Sequence, residues 1–149
     1  MPESTATPRA VAERLLAAIV SGEPDQVARL YAPELEIELP FGPPLLPARV
    51  ASGRTQVREQ LTAGTAVRRY LRVEDVAIHE AGDGETVVAE YTIHGEHLPG
   101  REPFQLPFAM VMTVRDGVIV HTRDYSDPVA GARLLGREDE LIEHLSSGS

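Results

Sequence analysis

The strongest constraint on this chain is a pair of alternating segments near its C-terminus, Phe104 to Val114 and Val118 to Asp124, joined by Arg115-Asp116-Gly117. In the first, Phe104, Leu106, Phe108, Met110, Met112 and Val114 share one face, the longest apolar row in the sequence. In the second, Val118, Val120, Thr122 and Asp124 share a face, while Ile119, His121, Arg123 and Tyr125 point the other way. The Gly-containing connection predicts a β-hairpin. A three-residue turn pairs Val114 with Val118, Met112 with Val120, Met110 with Thr122 and Phe108 with Asp124. A two-residue turn would slip the register by one and turn a dry row toward water, so the three-residue turn is preferred. The inner row then ends on Asp124. A carboxylate facing a dry interior is costly unless it is paired, protonated or bordering a cavity.

The rest of the chain supplies what such a hairpin packs against. Thr7-Pro8 reads as an N-cap with proline at the first helical position, and Val11, Leu15, Leu16 and Ile19 form a helical stripe that Ser21-Gly22 stops. Pro24-Asp25 opens a second short helix, with Val27, Leu30 and Tyr31 inward and Pro33 at its end. Glu34 to Leu39 alternates as a strand with Leu35, Ile37 and Leu39 on its dry side. Pro40 to Pro47 is a stiff extended loop, read as a wall or lid beside that strand's end. A helix follows Gly53 through Val57 and Leu61 to Gly64. From Tyr70 onward the pattern is all strand, with a bulge expected at Glu74-Asp75 and a hairpin turn at Gly82-Asp83-Gly84. Residues 129–136 and 138–144 read as short helical pieces, and 1–7 and 145–149 as frayed ends.

Two helices, a strand, a helix and a meander of about four strands make an α+β domain. Its mostly antiparallel, curved sheet wraps around the N-terminal helices as a cone-shaped barrel, or cystatin-like roll, leaving a blind apolar pocket. The 149 residues suit one domain, 1–149, able to bury a core without staples. There is no cysteine, hence no disulfide and no thiolate ligand, and His94-Gly-Glu-His97 permits only a weak metal site. A net charge of −9 argues against nucleic acid, and no apolar stretch is long enough for a membrane span. The expectation is a soluble, cytoplasmic protein needing neither metal nor cofactor.

The chain resembles the SnoaL-like members of the nuclear transport factor 2 and ketosteroid isomerase superfamily over nearly its whole length. The matching pieces are Leu30-Tyr-Ala-Pro-Glu-Leu-Glu-Ile-Glu-Leu-Pro-Phe-Gly42, the Gly53-Arg54 helix entry, Glu90…His94-Gly95…Pro99-Gly100, and Asp116-Gly117…Arg123-Asp-Tyr-Ser-Asp-Pro128 followed by Arg133-Leu-Leu-Gly136. The resemblance implies a cone-shaped pocket, a homodimer packed through the sheet and no obligatory cofactor. Ketosteroid isomerases carry a base Asp where Leu39 stands, a Tyr near Leu15 and a protonated Asp near Met110. All three positions are apolar here, which argues against that activity. Limonene-type epoxide hydrolases place an Arg and an Asp where Tyr91 and Ile93 fall, and a Tyr and an Asn near Ile37 and Leu39. Of their residues only the final Asp has a counterpart, Asp124, and proteins of the PhzA/PhzB type and SnoaL-type polyketide cyclases carry an acid at or near it.

Asp124 reads either as a general acid/base with its pKa raised by an apolar wall of Phe108, Met110 and Val120, or as a carboxylate that closes the pocket by accepting hydrogen bonds. Tyr91 reads as a donor to a substrate carbonyl or as a core tyrosine with a satisfied hydroxyl. Asp127, before Pro128, reads as a turn or cap residue. Leu15, Ile37, Leu39, Phe41, Ile93, Phe108, Met110 and Thr122 are the expected binding wall for a small apolar molecule. Three function classes follow. The first is a cofactor-free isomerase, cyclase, dehydratase or hydrolase acting on an apolar carbonyl or epoxide compound. The second is a non-catalytic small-molecule-binding protein, and the third an interaction domain without a ligand.

Overall fold

The computed structural model describes residues 6–148. Helices α1 (Pro8–Ile19) and α2 (Pro24–Ala28) lead into strand β1 (Tyr31–Glu38), then β2 (Arg49–Gly53) and α3 (Arg54–Thr65). Strands β3 (Arg68–Glu80), β4 (Thr86–His97), β5 (Pro103–Arg115) and β6 (Val118–Ser126) follow, and α4 (Pro128–Leu135) and α5 (Glu138–Ser146) end the chain. The six strands form one sheet in the order β2-β1-β6-β5-β4-β3. Only β1 and β6 run parallel; every other neighbouring pair is antiparallel. This is the expected α+β roll, its curled sheet wrapped over the helices and left unclosed. None of the described helices is long and apolar enough to cross a membrane.

The helices form where local chemistry starts them. Thr7 caps α1 by accepting a hydrogen bond from the Ala10 amide at 3.1 Å, with Pro8 at the first helical position. Val11, Ala12, Leu15 and Leu16 then bury against the concave face of the sheet, where they meet Val87, Ala89, Tyr91, Met110, Met112 and Ile119. At the entry to α3 the Arg54 guanidinium donates to the Tyr31 carbonyl at 2.8 Å. A Cβ on Gly53 would stand 2.8 Å from the Pro33 carbonyl, so this close crossing of β2 over β1 requires glycine.

Several expectations need correction. Tyr31 opens β1 instead of closing the second helix, and Pro33 lies inside that strand. The missing amide costs little there, because the β1–β6 ladder is irregular between Tyr31 and Glu36. Strand β2 is an added edge strand with no alternating apolar signature. The bulge at Glu74–Ala77 is present, with Asp75 at φ 55°, and a second lies at Tyr70–Arg72. At the ends, Thr7 is an ordered cap and α5 runs on to Ser146, so residue 7 and residues 145–146 are structured. Residues 1–5 and 149 lie outside the described residues.

The hairpin register also differs. Asp116 and Gly117, both at positive φ, form a two-residue turn, and Arg115 pairs with Val118 and Val114 with Ile119. The dry rows nevertheless meet, because Val120 is an extra residue between the Thr113–His121 and Val114–Ile119 pairs. Ile119 therefore faces inward in place of Val118 and Val120, and after the bulge Thr122 and Asp124 turn inward opposite Met112 and Met110. Asp124 is opposite Met110, not Phe108; Phe108 pairs with Ser126.

Candidate functional site

Three elements converge at the end of β6. The first is the Pro-rich connection between β1 and β2, which contributes Leu39, Phe41, Pro43, Pro44, Leu45 and Leu46. Phe41 packs edge-on against Tyr125 with ring centroids 5.3 Å apart, and the Arg137 guanidinium donates to the Leu45 carbonyl at 2.7 Å. The second is the sheet floor of Tyr70, Leu106, Phe108, Asp124 and Ser126. The third is the C-terminal pair of helices, with Ala132, Leu134 and Leu135 from α4 and Leu141 from α5. Asp127 caps α4 through its Oδ1, which accepts from the Val129 amide at 2.9 Å, and Gly136 ends it in the left-handed conformation. Asp127 thus has the capping role expected of it.

These elements enclose a cavity of about 190 Å³. Among the described residues, Tyr70, Asp124 and Ser126 carry the only polar side chains on its wall. Asp124 Oδ1 is sealed from solvent, as is Thr122 Oγ1 two residues earlier on the same face. Burial raises the Asp124 pKa to about 6, against smaller lowering effects of the Thr122 hydroxyl and the His121 imidazole. The Tyr31 and Tyr91 phenols are raised by burial and, secondarily, by the Asp124 charge, so both share its dry surroundings and remain protonated. A carboxyl poised near neutrality in an apolar cavity can take or give a proton at physiological pH.

Of the residues read as candidate site residues, Asp124, Leu39, Phe41 and Phe108 line this cavity. Leu15, Ile37, Ile93, Met110 and Thr122 do not line it; they are buried in the core between the helices and the sheet. Tyr91 lies behind the cavity wall, 3% exposed and stacked on Phe108 with centroids 5.6 Å apart. The reading from sequence missed Tyr70, Ser126 and the leucines of α4 and α5. Ser126 had a signal, since it shares the parity of Thr122 and Asp124. Tyr70 had none, because the bulge at Tyr70–Arg72 hides which way it points.

On the opposite face of the sheet, Glu36, Glu38 and His121 bring ligand atoms within 4.8 Å of one another. Arg49 already pairs with Glu36 at 2.9 Å, and His121 Nε2 lies 2.7 Å from Glu38, so these groups satisfy one another. His94 and His97 are not brought together as ligands: His94 pairs with Glu74 at 3.2 Å and the His97 ring packs on Phe104.

Solved structures of the same fold are numerous. A Bacillus subtilis protein provisionally named an isomerase aligns with a TM-score of 0.78 at 20% identity, covering 87% of this chain and 93% of that one. A Pseudomonas putida KT2440 protein provisionally named a polyketide cyclase aligns with a TM-score of 0.72 at 18% identity, covering 87% and 98%. SalBIII, an epoxide hydrolase/cyclase-like enzyme with a role in pyran ring formation in the polyether salinomycin, aligns with a TM-score of 0.65 at 17% identity, covering 80% and 90%. No protein of curated function matches the sequence significantly. The sequence profile of the SnoaL-like domain matches residues 12–122, three quarters of the chain and ending two residues before Asp124. The chain belongs to the SnoaL-like domain family.

Proposed function

We propose that this protein is a cofactor-free enzyme of the isomerase, cyclase or hydrolase type. Its substrate is a small apolar carbonyl or epoxide compound, and Asp124 is its general acid/base. The observation that carries this reading is the Asp124 carboxyl itself, the one acidic group among the described residues on the wall of an otherwise largely apolar cavity. In the cavity, leucines, prolines and Phe108 orient an apolar substrate and exclude water, while the carboxyl moves the proton. Tyr70 lines the same wall, and its phenol is the candidate donor to a substrate oxygen. Neighbours of this fold named for isomerase and cyclase activities support the choice of reaction class.

Asp124→Asn keeps the shape and removes the titrating group, so it should cut turnover at least a hundredfold while an apolar ligand still binds. Unchanged turnover in this variant would remove the acid/base role and leave a small-molecule-binding protein. That second reading is favoured by the scarcity of polar groups on the wall.

The same proposal includes a homodimer formed through the outer face of the sheet. Val88, Ala109 and Val111 are half-buried there, on the side away from the helices. They lie in a strip bordered by Glu90 and Arg123.

A further inference from the structure

A second cavity, of about 310 Å³, lies between the C-terminal end of α1, the start of α2, the last turn of α3 and the first residues of β3. Its apolar wall is made by Ala18, Ile19, Val27, Leu61 and Leu98. Tyr70 stands between it and the Asp124 cavity, contributing to both walls.

Several polar groups on this wall are spent locally. The Ser21 hydroxyl donates to the Ala18 carbonyl at 2.6 Å and the Thr65 hydroxyl to the Thr62 carbonyl at 2.7 Å. The Gln60 side-chain amide donates to the Val50 carbonyl, and Glu23, exposed on the rim, accepts from Gln26 at 2.6 Å. Arg68 is not spent in this way. Its Nε is enclosed without a hydrogen-bond partner, and no carboxylate pairs with Arg68 among the described residues. The sequence holds 23 acidic residues against 14 basic ones, so the missing partner does not reflect a shortage of acids. An enclosed N–H donor without an acceptor is rare in folded proteins, and here it belongs to a guanidinium that lines the cavity with no carboxylate partner.

We infer that this cavity binds a small apolar monocarboxylate, its head accepting hydrogen bonds from Arg68 and its tail lying against Ile19, Val27, Leu61 and Leu98. The guanidinium fork matches the carboxylate plane, and the apolar wall matches a short hydrocarbon tail. Glu23 on the rim and the C-terminal end of the α3 dipole disfavour anions, and a second charge more than a first, so the ligand carries only the one charge that Arg68 can pair. The exposed Arg69 beside them adds attraction at the entrance.

Octanoate, with 1-octanol as its uncharged control, tests this by NMR titration. Octanoate should shift the Leu61 and Leu98 methyl signals of the wild type. Arg68→Met should weaken octanoate about tenfold or more, leave octanol unchanged, and be largely rescued by Arg68→Lys. Thermal unfolding of each variant identifies any that fails to fold. Leu61→Trp, which fills the cavity and keeps Arg68 in the chain, should abolish the Leu98 shift with either probe and provides the independent variant. Equal affinity of octanoate for wild type and Arg68→Met, or shifts confined to Phe41 and Leu135 at the other cavity, would overturn the inference. Asp124→Asn should leave octanoate binding as it is, which separates this site from the proposed reaction.

Discussion

At Asp124 the physical chemistry of one side chain sets both the proposed activity and a measurable stability. Its folded-state pKa, about 6, stands above its ordinary value of 3.8 because burial disfavours the charge. The folded protein therefore holds a proton between roughly pH 4 and pH 6 that the unfolded chain has released. Stability from this group is present below that window and is lost as pH rises through it, by on the order of 3 kcal/mol. Asp83 opposes this trend in more acidic solution, since hydrogen bonds from the Thr86 hydroxyl and the Glu85 and Thr86 amides hold its pKa near 2. The difference between wild type and Asp124→Asn isolates the contribution of interest. Urea unfolding at pH 7.5 should find the Asn variant the more stable, by about 1–2 kcal/mol, with the gap closing at pH 4.5. A gap that stays constant with pH would mean that Asp124 is not titrating in this window. If Asp124 acts as a base, wild-type turnover rises as pH increases through about 6; if it acts as an acid, turnover falls over the same range.

Among the elements, the Pro-rich loop and the C-terminal helices wall the cavity, and Arg137 holds them together. It donates to the Leu45 carbonyl in the loop and pairs with Glu140 on α5. Arg137→Ala removes the only side-chain hydrogen bond between loop and helix pair among the described residues. It should speed ligand release several-fold and raise amide exchange in α4 and α5 while leaving the β4–β5 amides protected, as hydrogen-exchange mass spectrometry would read. Uniform exchange in both proteins would show that apolar contact alone closes the cavity. The wall role of Pro40–Pro47 was legible because proline chemistry excludes a central strand there. The hairpin register was not. Dry rows must meet, but they can do so through a three-residue turn or through a two-residue turn plus a bulge at Val120, and sequence alternation does not distinguish the two. Edge strand β2 left no mark either, since Arg49-Val-Ala-Ser-Gly53 has only Ala51 to bury. For the site, Asp124, Phe108, Leu39 and Phe41 were legible from parity and loop position. Leu15, Ile37, Ile93 and Met110 were expected on the binding wall, but large side chains from α1 and the sheet fill that part of the cone.

At the scale of the whole molecule, the curled sheet divides the chain's chemistry between two faces. The concave face holds the core and the Asp124 carboxyl. The outer face carries a half-buried apolar strip of Val88, Ala109 and Val111, with Val88 directly opposite Val111 across the β4–β5 ladder. Charged groups lie on either side of it: the His79–Glu90 pair toward β3, and Arg123 with the Arg49–Glu36–Glu38–His121 cluster toward β1. An apolar centre with a polar surround is the composition of a subunit contact, and a two-fold axis over the strip would bring Val111 near its symmetry mate. With a net charge of −9 on each chain, association must rest on burying this strip, because overall electrostatics oppose it. Val111→Glu would add a carboxylate to the strip on both sides of the contact. If the proposed dimer forms through this strip, sedimentation equilibrium should show a dimer for the wild type and a monomer for this variant. Because the strip and the Asp124 cavity lie on opposite faces, ligand affinity per chain should change less than twofold. A wild type that sediments as a monomer at micromolar concentration, or a Val111→Glu variant that remains dimeric, would place the subunit contact elsewhere.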